Sequence, residues 1–180
     1  DNNNKNVLEM FYEDKNRWSY IFQNFAFITR ANILLKAIKK NSTSIFLKKK
    51  IIISERSVET DKYVFAKMLH DDNHMNDLEY TIYKTWYSTL FPEIKVKNVI
   101  YVRTLPETAY NRMLNRKRKE EASVPKAYIQ MVHKYHDEWL TNNDSGYNIC
   151  YLDGNKDMND DDNILYNHYE KILQFIKSIN

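Results

Sequence analysis

The sequence predicts an α/β fold with a parallel sheet and mostly helical content. Short β-branched runs alternate with longer stretches of helical periodicity, the pattern of strands joined by helical crossovers. Of its 180 residues, 43% are hydrophobic and 14% aromatic, enough to bury a core. No repeat or linker divides the chain, so residues 1–180 read as a single domain.

The elements follow in order. Residues 1–6 are a polar, frayed start. A long helix is predicted from about Asn16 to Lys40. Trp18, Ile21, Phe22, Phe25, Ile28 and Leu35 recur at helical spacing and are expected to be its buried stripe. Lys50 to Ser54 reads as a strand buried on both faces, since Ile51, Ile52 and Ile53 are β-branched and consecutive. Helices are predicted over Val58–Leu69 and Asn76–Leu90, the second stopping before Pro92. Lys97–Thr104 is a second strand. Pro106 suits the first position of the next helix, which runs to about Asn115. Pro125 opens a helix to about Leu140, Tyr147–Leu152 is a third strand, and Ile164–Ile179 is a final amphipathic helix.

Composition excludes several classes. No apolar run reaches the roughly 18 residues of a membrane span. The net charge of +3 is too small to argue for nucleic acid, and no exposed stacking motif supports a basic binding module. The lone cysteine, Cys150, excludes an internal disulfide and fits a reducing compartment; the cytoplasm is expected, with mitochondrion and nucleus left open. Only two glycines occur, Gly146 and Gly154, so no G-x-x-x-x-G-K-[ST] loop is present to cradle phosphates.

Three constellations carry chemistry. Glu55 and Arg56 follow the first predicted strand, and ligands of open parallel sheets bind at the carboxyl ends of strands. They read either as a carboxylate and guanidinium offered to a ligand or as a local ion pair. Arg112 and Arg116 share a helix face and Arg118 lies just beyond, suiting either a clamp on a transferring phosphoryl group or a solvated basic helix end. Gln23, Ala26 and Arg30 share a face of the long helix. Gln23 there is either a pairing partner for a nucleobase edge or an ordinary polar flank. His70 and His74 lack a third spaced ligand, and no metal is expected there.

Taken in order, Tyr12-Glu13, Arg17-Trp18-Ser19 with Phe22-Gln23, Glu55-Arg56-Ser57 with Asp61 and Phe65, Thr104-Leu105-Pro106-Glu107-Thr108, the Arg112, Arg116, Arg118, Glu120, Glu121 series, Tyr128, Trp139-Leu140 and Leu152-Asp153 resemble the deoxynucleoside kinases, especially their deoxycytidine and deoxyguanosine kinase branch. The resemblance covers nearly the whole chain. It implies a three-layer, P-loop kinase-like α/β fold and ATP-dependent 5′-phosphorylation of a deoxyribonucleoside in nucleotide salvage. ATP would be the donor, Mg²⁺ the metal, and a homodimer through two long helices the assembly.

The resemblance also implies roles. Gln23 would pair with the base, which Phe22 and Phe65 would flank. Tyr12 and Glu121 would hold the sugar 3′-hydroxyl. Arg56 would sit by the 5′-hydroxyl and phosphates, and Glu55 would support Mg²⁺ or accept a proton. Arg116 and Arg118 would close over the phosphates as part of a lid at about 114–125. Arg112, Lys156, Asp157 and Met158 would hold the donor nucleotide. Ala26, Arg30 and Asp61 occupy positions that in the family mark deoxycytidine and purine deoxynucleosides over thymidine. The family begins with a strand, the P-loop and its helix, so the first βα unit is expected to be missing from this chain. A non-catalytic nucleoside-binding relative or partner subunit is the alternative reading.

Overall fold

The computed structural model describes residues 7–42, 51–90, 96–142, 146–157 and 161–179. Helix α1 (Val7–Glu13) gives way at Asp14 to α2 (Lys15–Ser42), 28 residues without glycine or proline. Asp14 Oδ1 accepts from Arg17 N at 3.2 Å, satisfying one of the amide groups a helix start leaves open. A helical run follows Ser57, whose side chain accepts from Thr60 N at 3.1 Å. It comprises α3 (Val58–Thr60), a π-helical stretch over Asp61–Ala66, and α4 (Lys67–Asp71). Asn76 and Glu79 then form a reciprocal capping box, each side chain accepting from the other's backbone N–H at 2.9 Å. That box starts α5 (Asp77–Leu90).

The second half holds β1 (Asn98–Arg103), α6 (Pro106–Arg116), a 3-10 turn over Lys119–Glu121, α7 (Lys126–Leu140), β2 (Asn148–Asp153) and α8 (Asp162–Ser178). Pro106 opens α6 because a first-turn residue needs no N–H partner. Lys117 ends it in the left-handed region at φ +52°. β1 and β2 pair in parallel, from Asn98 opposite Asn148 to Arg103 opposite Asp153. Parallel strands need a crossover, and α6 and α7 supply it.

The chain forms two compact units, residues 1–94 and 95–180. In the first, Phe27, Ala31, Val58, Ala66 and Tyr83 form one core cluster; Phe11, Leu69 and Met75 form another, with Tyr12, Trp18 and Phe22 packed on it. In the second, Tyr101, Met113, Val124, Tyr128, Tyr135, Leu140, Cys150 and Leu152 are buried.

This mostly helical chain with a parallel strand pair has the P-loop kinase-like α/β fold class that the sequence predicts. Two expectations fail. The first predicted strand does not form: Ile51, Ile52 and Ile53 are exposed and pair with no strand among the described residues, while Lys50 lies outside them. A β-branched run becomes a strand only where a neighbour takes its backbone hydrogen bonds. The buried face of α2 also differs. Phe25 is 55% exposed and Ile28 49%, and Ile21 and Leu35 also face out, whereas Ser19, Gln23, Phe27 and Ala31 are buried. The two faces lie side by side at the same period, and two polar residues on the inner one hide it from a hydrophobicity count.

Candidate functional site

The inner face of α2 meets the π-helical stretch. Arg30 Nη1 pairs with Asp61 Oδ2, and Asp61 is 2% exposed. Burial pushes the Asp61 carboxyl above its ordinary range; the Arg30 and Arg56 guanidinium groups oppose that without cancelling it. One turn of α2 earlier Ala26 is half-buried, and two turns earlier Gln23 is buried. Gln23 Oε1 has no hydrogen-bond partner among the described residues. An unsatisfied buried oxygen costs about 1–3 kcal/mol, so Gln23 Oε1 is free to accept from a donor placed against it.

Phe65 sits on the same π-helical stretch as Asp61, and the Arg56 guanidinium lies over its ring at 5.1 Å. A π-helical insertion shifts the side chains that follow it, and such insertions are frequent at functional sites. Phe22 stacks on Phe11 with centroids 4.7 Å apart, and Tyr12 tilts against Phe11 at 5.1 Å. Glu55 is exposed beside Arg56, at the bend before Ser57 caps α3. Within this unit the structure therefore gathers Gln23, Ala26 and Arg30 on one helix face, links Arg30 to Asp61, and places Arg56 on Phe65 and within electrostatic reach of Asp61.

The second unit carries the other expected residues. Arg116 Nη2 donates to both carboxylate oxygens of Glu121 at 2.7 Å each, and Arg118 Nη1 lies 3.8 Å from Glu121 Oε1. The guanidinium of Arg112 faces the turn after β2, donating to three backbone carbonyls. Lys156 and Asp157 belong to that turn and are exposed; Met158 lies outside the described residues.

Several buried or half-buried polar groups are given no role by the sequence. Ser19 is buried beside Gln23, one helical turn away, and its Oγ has no partner among the described residues. Glu59 is buried and accepts from Tyr87 Oη at 3.4 Å. The Tyr83 hydroxyl is raised well above the usual phenol range, chiefly by burial and then by the Asp61 charge. Asp137 gathers Arg103 Nε at 2.9 Å, Tyr101 Oη at 2.9 Å and His133 Nε2 at 3.3 Å. Burial alone would raise its pKa; the hydrogen bonds from Arg103 and Tyr101, with the nearby positive charge, hold it below the ordinary value instead. The only sequence signals were acidic and tyrosine residues inside otherwise apolar helical patterns.

Comparison with known proteins adds the lineage. The deoxynucleoside kinase family model matches residues 1–179. A fowlpox virus protein named "Probable deoxycytidine kinase" is 38% identical over 179 residues, covering 97% of this chain and 73% of that protein. Rattus norvegicus deoxycytidine kinase is 34% identical over 185 residues, covering 96% and 69%. The mitochondrial deoxyguanosine kinase of Xenopus laevis is 34% identical over 140 residues, covering 76% and 52%.

Proposed function

The chain belongs to the deoxynucleoside kinase family, and on that premise we propose that it serves 5′-phosphorylation of deoxycytidine or a purine deoxynucleoside by ATP, in nucleotide salvage. The observation that carries this reading is the pair of Arg30 with the buried Asp61 carboxylate, on the helix face that also carries the Gln23 oxygen left without a partner among the described residues. A glutamine amide with an open oxygen, on the same helix face as a fixed donor paired to an acceptor, matches a base edge that both donates and accepts. Thymine offers no exocyclic amine to such a set, whereas cytosine and adenine do.

The remaining roles are those that the family resemblance implies, and each group has the chemistry its role needs. Phe22 and Phe65 flank the base. Tyr12 and Glu121 hold the sugar 3′-hydroxyl. Arg56 steadies the 5′-oxygen as it attacks the γ-phosphorus. As that P–O bond forms, the bond to the departing ADP oxygen breaks, and the hydroxyl proton passes to a carboxylate, for which this chain offers Glu55. Arg116 and Arg118, in a lid over 114–125, neutralise the negative charge that builds on the transferring group. Lys156, Asp157 and Met158 meet the donor base, and Arg112 serves the same donor site.

Mg²⁺ in such enzymes is held by one or two carboxylates together with substrate phosphates. Glu55, an exposed carboxylate beside Arg56, fits that requirement and would hold the ion; when bound, it supplies charge neutralisation. A homodimer fits the outer face of α2, where Ile21, Phe25, Ile28 and Leu35 are exposed, and the exposed Leu78, Ile82 and Trp86 of α5. No helix among the described residues is long and apolar enough to cross a membrane.

The test is phosphate transfer from γ-labelled ATP to deoxycytidine, deoxyadenosine, deoxyguanosine and thymidine. Deoxycytidine or a purine deoxynucleoside is expected to be the best acceptor. Thymidine as the best acceptor would refute the specificity, and transfer to none of the four would refute the activity of this chain.

A further inference from the structure

The turn that follows β2 is fastened to the start of α6 by donors from both sides. Gly154 N donates to Arg103 O at 2.8 Å, and Leu105 N donates to Asn155 Oδ1 at 2.8 Å. Arg112 then reaches three successive carbonyls. Its Nη1 donates to Gly154 O at 2.5 Å, and its Nη2 donates to Asn155 O at 3.2 Å and Lys156 O at 3.1 Å. The approach is close: a Cβ on residue 154 would lie 2.1 Å from Thr104 Oγ1 and 3.2 Å from Arg103 O, so a larger residue there would have to displace the Thr104 side chain.

Three consecutive carbonyls aimed at one cation define the shape of the turn. A planar guanidinium with several fixed donors can serve them together, whereas a lysine ammonium offers a point charge on a flexible stem. Arg112 also differs from its neighbours in partner. Arg116 and Arg118 hold a side-chain carboxylate, a contact that an incoming phosphate can replace. The Arg112 donors go to backbone that forms the very turn carrying Lys156 and Asp157.

We propose that Arg112 is a positioning residue: it fixes the 154–157 turn so that Lys156 and Asp157 meet the donor base, and it does not itself hold the transferring phosphate. This rests on the donor role given above to Lys156 and Asp157. It makes donor-base selectivity, rather than phosphate affinity, the property that depends on Arg112.

The experiment compares the full chain with its R112K and R112Q variants in two readouts. Amide hydrogen exchange is expected to show lost protection over 154–157 in both variants, with β1 and β2 unchanged. In steady-state assays KM for ATP is expected to rise about tenfold, the equivalent of one charge-assisted hydrogen bond. The turnover number and the deoxynucleoside KM are expected to stay near wild type, while the difference in KM between ATP and UTP narrows, whichever donor the wild type favours. R112K behaving as wild type in both readouts would overturn the proposal, since charge alone would then suffice. A fall in turnover with unchanged KM for ATP would also overturn it, by placing Arg112 on the phosphoryl group. A wild-type chain that transfers no phosphate sinks the kinase reading alone, because the exchange readout still decides whether Arg112 holds the turn.

Discussion

Asp61 is a carboxylate removed from water, with one guanidinium paired to it and another close by. Removing one partner of such a pair leaves an uncompensated buried charge, at a cost of about 3–5 kcal/mol. Arg30 retains some solvent contact, so Arg30→Met is expected at the low end, about 3 kcal/mol by urea denaturation. Removing both charges with Arg30→Met and Asp61→Ala is expected to restore a large part of that stability while deoxycytidine binding stays lost. A double variant as unstable as the single one would show that the pair's geometry, and not its charge balance, supports the fold. Asp137 gives a pH signature. Its folded pKa is depressed below the ordinary 3.8, so its contribution is present above that value and is lost as pH falls through the folded pKa. The melting-temperature gap between wild type and Asp137→Asn is therefore expected to be constant near neutrality and to close below about pH 3.8. A gap that persists unchanged into stronger acid would remove the ion pair as its cause. Gln23 and Arg30 could be placed on one helix face from their spacing alone, whereas Asp61 entered only through the family resemblance. Asp137, Glu59 and Tyr83 were legible by neither route, since one sequence does not say which polar side chain in a helical pattern turns inward.

At the scale of the element, helix α2 shows how periodicity misleads. Its most hydrophobic row faces out and its inner row contains Ser19 and Gln23. The helix and its length were readable from the helical spacing of its apolar residues, which predicts Asn16 to Lys40 against the observed Lys15–Ser42. Which of two adjacent faces is the inner one depended on a partner helix that one segment cannot reveal. The strand expected at Lys50–Ser54 failed for a related reason: propensity favours extension, but pairing needs a neighbour. The proposed homodimer would cover the outer apolar row of α2. Phe25→Lys and Ile28→Glu together are expected to convert a dimer to a monomer in sedimentation velocity with little loss of secondary structure by circular dichroism. A wild-type chain that sediments as a monomer at micromolar concentration would end that assignment.

For the whole molecule, the proposed acceptor-base residues Phe22, Gln23, Arg30, Asp61 and Phe65 all fall in the first compact unit; the lid arginines and the donor turn fall in the second. A neutral deoxynucleoside should therefore act first on the unit that contains Asp61. Ligand at about 100 times its dissociation constant adds roughly 2.7 kcal/mol to stability by mass action. For a chain of this size each kcal/mol moves the melting temperature by roughly 2–4 °C, so deoxycytidine is expected to raise it by roughly 5–11 °C. The acceptor is uncharged, and the Asp61 carboxylate proposed to receive it is buried, so the rise should change little between about 0.05 and 0.5 M salt. Binding to duplex DNA behaves oppositely, because each phosphate contact releases counterions and the affinity falls steeply with salt. The net charge of +3 gives the chain no strong field to attract such a polymer. A salt-insensitive rise with deoxycytidine, lost in Asp61→Ala, is the expected result. Stabilisation by DNA that disappears with salt, with none from deoxycytidine, would displace the nucleoside reading in favour of a basic binding module.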